Sequence, residues 1–129
     1  MKYTYPTLAL AMTILIMYLS SISDLTIVKA SSRADQILSN LAHIPAYGIL
    51  TFMWLKSFNG CLRHRNHAFF NGLILIGLFL FSITDEIHQS FVPGRTASVM
   101  DIGLDFLGIV LGLGIWRASE SLRGKMPTS

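Results

Sequence analysis

A lone cysteine, Cys61, removes two possibilities at once: no disulfide can staple this chain internally, and no paired-cysteine metal motif can form. Charge is scarce as well. Asp, Glu, Lys and Arg make up 13% of the 129 residues, where soluble domains carry about 25%. No internal repeat or low-complexity tract interrupts the chain, and its length leaves no room for a second core. What fills it instead is hydrocarbon, with 52% hydrophobic residues and a mean hydropathy of +0.54. A chain this short cannot bury so much apolar surface against itself, so its expected solvent is the lipid bilayer. The net charge of +3 would point to nucleic acid in a soluble protein. Here it reads as the basic excess of cytoplasmic loops, and no nucleic-acid partner is expected.

Hydrocarbon about 30 Å thick takes about 20 helical residues, and four segments approach that length. The first, about 6–22, is uncharged and opens on Pro6, which suits a first helical turn. The second, about 41–56, is interrupted by His43 and Pro45, and the third, about 68–88, is uncharged from Ala68 to Thr84. The fourth, about 100–117, has the weakest hydropathic case, because Asp101 and Asp105 leave only "FLGIVLGLGIW" unbroken. A re-entrant segment therefore competes with a full span there. The full span is favoured because Gly108 and Gly112 have the small-xxx-small spacing that lets membrane helices approach closely. The expected fold is an all-α integral membrane protein, one domain over 1–129 built as a bundle of four transmembrane helices. The first segment has a competing identity as a cleavable signal peptide, with Ser21 and Ser23 spaced as at a cleavage site. Residues 24–40 mix apolar and polar side chains and point to a short helix on the membrane surface.

Basic residues orient the bundle. With the N-terminus inside, Lys2, Lys56, Arg63, Arg65, Arg117, Arg123 and Lys125 share one side, and Lys29, Arg33 and Arg95 the other, accounting for all 10. The positive-inside rule then places both termini in the cytoplasm of a multi-pass cell-membrane protein. Trp54 and Trp116 fall near inner helix ends, where indoles anchor at headgroup level. His64 and His67, in the basic loop, are expected to be solvated.

The informative stretch is "ITDEIHQSFVPGRTASVMDIGLD", residues 83–105, which sets four carboxylates, a histidine and an arginine between two apolar runs. The topology brings its two ends to one depth, and helix two starts there too. His43 and Tyr47 lie four apart on one helical face, as do Asp101 and Asp105. Asp85, His88 and Gln89 share a face if helix three continues outward by a turn before "VPGR" breaks it. Asp105 lies about 6 Å deeper than Asp101, where a lipid-facing carboxylate costs up to about 2.5–3.5 kcal/mol. It should face protein or water, with Arg95 or His43 as partner.

Three readings of the cluster stand open. Acids near the start of helix four suit its dipole, which accounts for Asp101 alone. A pocket for a polar headgroup or peptide would use Tyr47, His88, Gln89 and Arg95, the last receiving a carboxylate or phosphate. Chemistry would use His43, Asp85, Glu86, Asp101 and Asp105, through acid–base pairing or a bound metal. No tight metal-ligand spacing occurs, so no metal or cofactor is expected. Ser90, Thr96 and Ser98 are available hydroxyls, but nothing local marks one as an activated nucleophile.

The segment "TDEIHQSFVPGRTASVMDIGLDFLGIVLG" resembles the signature of the VanZ-like family of small bacterial membrane proteins, named for a protein linked to teicoplanin resistance. Asp85, Glu86, Gln89, Phe91, Pro93, Gly94, Arg95, Asp101 and Gly108 match the family pattern, as do His43 and Tyr47 in "HIPAYGIL" upstream. Asp105 departs from it, standing where members commonly show asparagine. The resemblance covers roughly His43 to Gly112. It implies a cell-envelope protein that lowers susceptibility to glycopeptides, with a lipid-linked wall precursor or the glycopeptide itself as partner. It supplies no reaction. A small intramembrane enzyme acting on a lipid-linked or cell-wall substrate is the alternative, and an ion-coupled carrier is disfavoured because helices one and three hold no mid-span charge.

Overall fold

The computed structural model describes residues 3–22, 41–61, 67–93 and 98–124. The expected surface helix over 24–40, Arg95, Thr96 and His64 lie outside them. Four helices account for nearly all of the described chain: α1 (Thr4–Ser21), α2 (His43–Cys61), α3 (His67–Ser90) and α4 (Val99–Gly124). No strand occurs among the described residues, so the all-α expectation holds.

The helices run alternately up and down, and α2 is the hub. It packs on α1, α3 and most extensively on α4, whereas α1 and α4 do not touch among the described residues. That central place explains a reversal. The fourth segment was expected to have the weakest hydropathy, yet α4 and α3 each reach a mean of 1.8 over their most apolar 18-residue window, and α1 reaches 1.3. All three are long and apolar enough to cross a membrane, and α2 is not. Its two aspartates notwithstanding, α4 is a continuous helix of 26 residues, about 39 Å long, with no re-entrant break. By contrast α2 carries His43, Pro45, Lys56 and Asn59. An enclosed helix needs little apolar surface of its own, because its neighbours stand between it and lipid.

Outward surfaces are hydrocarbon. Leu10, Ile14, Leu73, Ile76, Val110 and Ile115 are all exposed, and only 11% of the most apolar window of α3 is buried. In water this surface would drive aggregation; in lipid it is matched. Inside, Ile16, Tyr47, Leu50, Leu78 and Ile109 form the apolar core. Trp54 and Trp116 correct the headgroup-anchor expectation. Trp54 packs against that core and donates to Thr13 Oγ1 at 3.3 Å, and Trp116 is buried. Both rings fill the space between helices. His67 is exposed as expected, although its Nδ1 also meets Asn59 Oδ1 at 2.7 Å.

The seam between α2 and α4 is built from glycine. A Cβ placed on Gly108 would lie 2.5 Å from the Ile44 carbonyl oxygen and 3.1 Å from Tyr47 Cβ. One on Gly112 would lie 2.9 Å from Thr51 Cβ, and closer still to the Gly48 carbonyl oxygen. Backbone thus meets backbone, the close approach that small residues permit in membrane helices. At the far end of the seam Lys56 pairs with Glu120, tying α2 to α4 a second time.

Gly112→Ala should therefore destabilise the bundle by about 1–3 kcal/mol, read from reversible unfolding in mixed micelles. Gly103→Ala on the same helix, where a Cβ meets nothing within 4 Å, should leave stability unchanged or raised. Equal losses in the two variants would show that close packing at the seam does not hold α2 to α4.

Candidate functional site at one end of the bundle

Alternating direction brings the C-terminal ends of α1 and α3 beside the N-terminal ends of α2 and α4. Each helix sends polar residues inward there, at helical spacing. On α3 they are Ser82, Asp85, Glu86 and Gln89, all buried, an i, i+3, i+4, i+7 stripe of the kind usually apolar in a water-soluble helix. On α4 they are Asp101 and Asp105, on α2 His43 and Tyr47, and on α1 Ser20. Asp105 is 1% exposed and Asp85 2%, so these carboxylates depend on partners within the protein.

Asp105 has them. His43 Nδ1 lies 2.8 Å from Oδ1, and Ser82 Oγ donates to Oδ2 at 2.6 Å. A carboxylate only accepts, so the proton of this pair sits on Nδ1, which leaves Nε2 as the ring nitrogen outside it. Of the two partners expected for Asp105, His43 is in place, and Arg95 lies outside the described residues. Asp85 is served on one side only. Its Oδ2 accepts from Ser20 Oγ at 2.9 Å and Gln89 Nε2 at 3.0 Å, and Gln89 also reaches Ser20 Oγ at 3.3 Å. Oδ1 of Asp85 is buried with no partner among the described residues.

Glu86 does something the sequence did not announce. It accepts the backbone N–H of Ser98 across the turn joining α3 to α4, while Ser98 Oγ caps α4 by accepting from Met100 N at 3.1 Å. In an ordinary capping box the residue at Asp101 would take that Ser98 N–H. With Glu86 there, Asp101 Oδ1 is buried with no partner among the described residues. Asp101 does stand in the first turn of α4, as the dipole reading expects, but it does not close a capping box with Ser98. Ser98 serves as a cap, and Ser90, exposed, donates to the Ile87 carbonyl at 2.6 Å.

Of the predicted residues, His43, Tyr47, Asp85, Glu86, Gln89, Asp101 and Asp105 converge. His88 lies at the rim, where Nε2 meets Ser21 Oγ at 3.1 Å. Sequence reasoning missed Ser20 and Ser82, although Ser82 falls one turn before Asp85 on the same stripe and could have been read from that spacing. Among the described residues, no group of three or more His, Cys, Asp or Glu side chains is placed to hold a metal ion.

A cleft of about 160 Å³ opens between α1, α2 and α3 onto Ser20, His43, Tyr47, Asp85 and Gln89. A larger one, about 480 Å³, lies towards the other end against Trp54, Phe58, Phe70 and Phe81. It is almost wholly apolar, the form of a lipid-filled groove, and holds no chemistry.

The family model described as VanZ/LLP1 matches residues 4–120 of this chain, which takes in α1 to α3, α4 up to Glu120 and every residue of the cluster. No curated protein and no solved structure matches it.

The His43–Asp105 contact should show as a coupling in a double-mutant cycle with His43→Phe and Asp105→Leu. About 1.5–3 kcal/mol is expected, the range for hydrogen bonds to charged groups, measured by unfolding in mixed micelles. Strict additivity would mean that the pair contributes nothing.

Proposed function

Because this chain belongs to the VanZ/LLP1 family, we propose that it is a four-span protein of the cytoplasmic membrane whose carboxylate-rich end faces outward and binds a component of the cell envelope. On this reading α2 is the fourth span, sheltered by its neighbours, and both termini are cytoplasmic. The observation that carries it is the inversion at that end: buried Asp85, Glu86, Asp101 and Asp105 beneath an apolar surface. Burying carboxylates is costly, and a protein that needed only to fold could use leucine there. Two of the four retain an oxygen with no partner among the described residues, which supports a site built for a ligand. Lipid-linked wall precursors and glycopeptides both reach the outer leaflet, and lowered glycopeptide susceptibility is the expected phenotype.

A second reading, an intramembrane enzyme acting on such a precursor, has one observation in its favour. Asp105 holds His43 by Nδ1, the arrangement that orients an imidazole to act as a general base through Nε2. An ion-coupled carrier has less support, since the described acids gather at the helix ends and none lies midway along α1 or α3.

Sidedness is tested first with a membrane-impermeant thiol reagent on whole cells. Ser90→Cys in a Cys61→Ala background should label and native Cys61 should not; the reverse pattern would place the cluster in the cytoplasm and end the envelope reading. Expression of the chain should raise the inhibitory concentration of teicoplanin, and the Asp85→Asn, Asp101→Asn double variant should lose that effect at equal protein level. Partial loss favours binding, whereas complete loss with ligand retained favours chemistry.

A further inference from the structure

The bundle turns hydrocarbon outwards, but between α1, α2 and α3 that surface is cut by the groove of about 480 Å³, a size within the range of ligand sites. Thr13, Trp54 and Phe58 line it from α1 and α2, and Phe70, Gly77 and Phe81 from α3. The polar groups on these walls serve each other. The Trp54 N–H donates to Thr13 Oγ1 at 3.3 Å, and that hydroxyl donates to the Ala9 carbonyl at 2.8 Å. No side-chain donor on these walls is left for a polar occupant, and hydrocarbon suits them.

Gly77 is what keeps the groove open. Glycine weakens a helix interior, and at Gly108 and Gly112 the close approach of α2 accounts for it. Nothing comparable stands at Gly77, where a Cβ would meet no atom within 4 Å. It falls at i+7 from Phe70 and i−4 from Phe81, in the middle of the α3 stripe that lines the groove. A side chain there would project into the space. From Phe70 to Phe81 the groove runs about 16 Å along α3. One leaflet contributes half of a hydrocarbon layer about 30 Å thick, so the span suits a single acyl chain.

Charge selects the headgroup. Chain order puts the Phe70 end of the groove beside both termini and the α2–α3 connection. Of the 10 basic residues in the chain, Lys29, Arg33 and Arg95 alone belong to the other end, and of the 7 acids Glu120 alone belongs to this one. Glu120 is itself taken by Lys56. An anionic group is therefore drawn to this end. One turn beyond Phe70 the same α3 stripe turns polar, at exposed His67.

We propose that this groove seats one acyl chain of an anionic membrane lipid, whose headgroup stands at the basic end of the bundle. The test uses the full chain in bilayers of equal parts phosphatidylglycerol and phosphatidylcholine with the same acyl chains, bromine being carried by one lipid or the other. Trp54 reports the occupant of the groove it lines, once Trp116→Phe removes the second indole. Brominated phosphatidylglycerol should quench Trp54 as though about fivefold more concentrated beside it than brominated phosphatidylcholine. Gly77→Leu, which places a side chain in the groove with no clash at Cβ, should erase that difference. Gly114→Leu, at an exposed glycine of α4 with equal room, should leave it intact. Equal quenching by the two lipids overturns the proposal, as does a difference that survives Gly77→Leu or one that Gly114→Leu also erases. Should the Trp116→Phe chain not fold, native mass spectrometry of the wild-type chain extracted from the unbrominated bilayer decides: phosphatidylglycerol retained over phosphatidylcholine supports the site, and equal retention overturns it. Both lipids are supplied to both leaflets, so neither readout depends on which end of the bundle faces the cytoplasm.

Discussion

Everything at the polar end depends on how closely α2 and α4 approach. Gly108 and Gly112 leave no room for a Cβ against Ile44, Tyr47 and Gly48, so the two backbones nearly touch. One turn along α4 from Gly108 stands Asp105, and just before Ile44 stands His43. Their 2.8 Å contact is a consequence of that seam. A larger residue at Gly108 would separate the helices by more than a hydrogen bond can stretch. Packing attraction dominates here because lipid offers no hydrophobic drive for helices to associate.

The bilayer inverts the usual distribution of polarity, and the structure follows that inversion closely. Its outer surface carries leucine, isoleucine, valine and phenylalanine, whereas its most enclosed positions at one end carry aspartate, glutamate, glutamine, serine and histidine. Buried among the helices, such groups depend largely on one another. Asp105 is satisfied fully, by His43 and Ser82. Glu86 is satisfied by the first backbone N–H of the α4 cap, which fixes the turn from α3 to α4. Asp85 and Asp101 each keep one oxygen with no partner among the described residues. Four neighbouring acids thus differ in how far the described residues satisfy them.

Much of this was legible in the residues themselves. The apolar runs, the glycine pair and the acids at matching depth follow from helical rise and periodicity. Asp85 and Gln89 at i and i+4 could be placed on one face once α3 was extended by a turn, and α3 does run to Ser90. Other features were not legible, for physical reasons. Hydropathy measures contact with lipid, so it undervalued α2, whose neighbours cover it, and the apolar run after Asp105 proved sufficient for α4. Tryptophan near a helix end suits a headgroup anchor and an interhelical filler equally well, and only packing separates the two. Ser20 and Ser82 looked like ordinary small residues until their hydroxyls were found on Asp85 and Asp105.

By itself the sequence determined the class of the molecule, an all-α chain for lipid with one polar stretch, because composition and helical period are local properties. The four helices themselves were readable in order and nearly in extent. Which acid pairs with which donor was decided only by the tertiary structure. By sequence Asp105 had both Arg95 and His43 as candidate partners; among the described residues His43 meets it, and the Ser98 N–H goes to Glu86. Those choices turn on differences of one or two ångströms between side chains from different helices, and such distances exist only once the glycine seam has brought the backbones together.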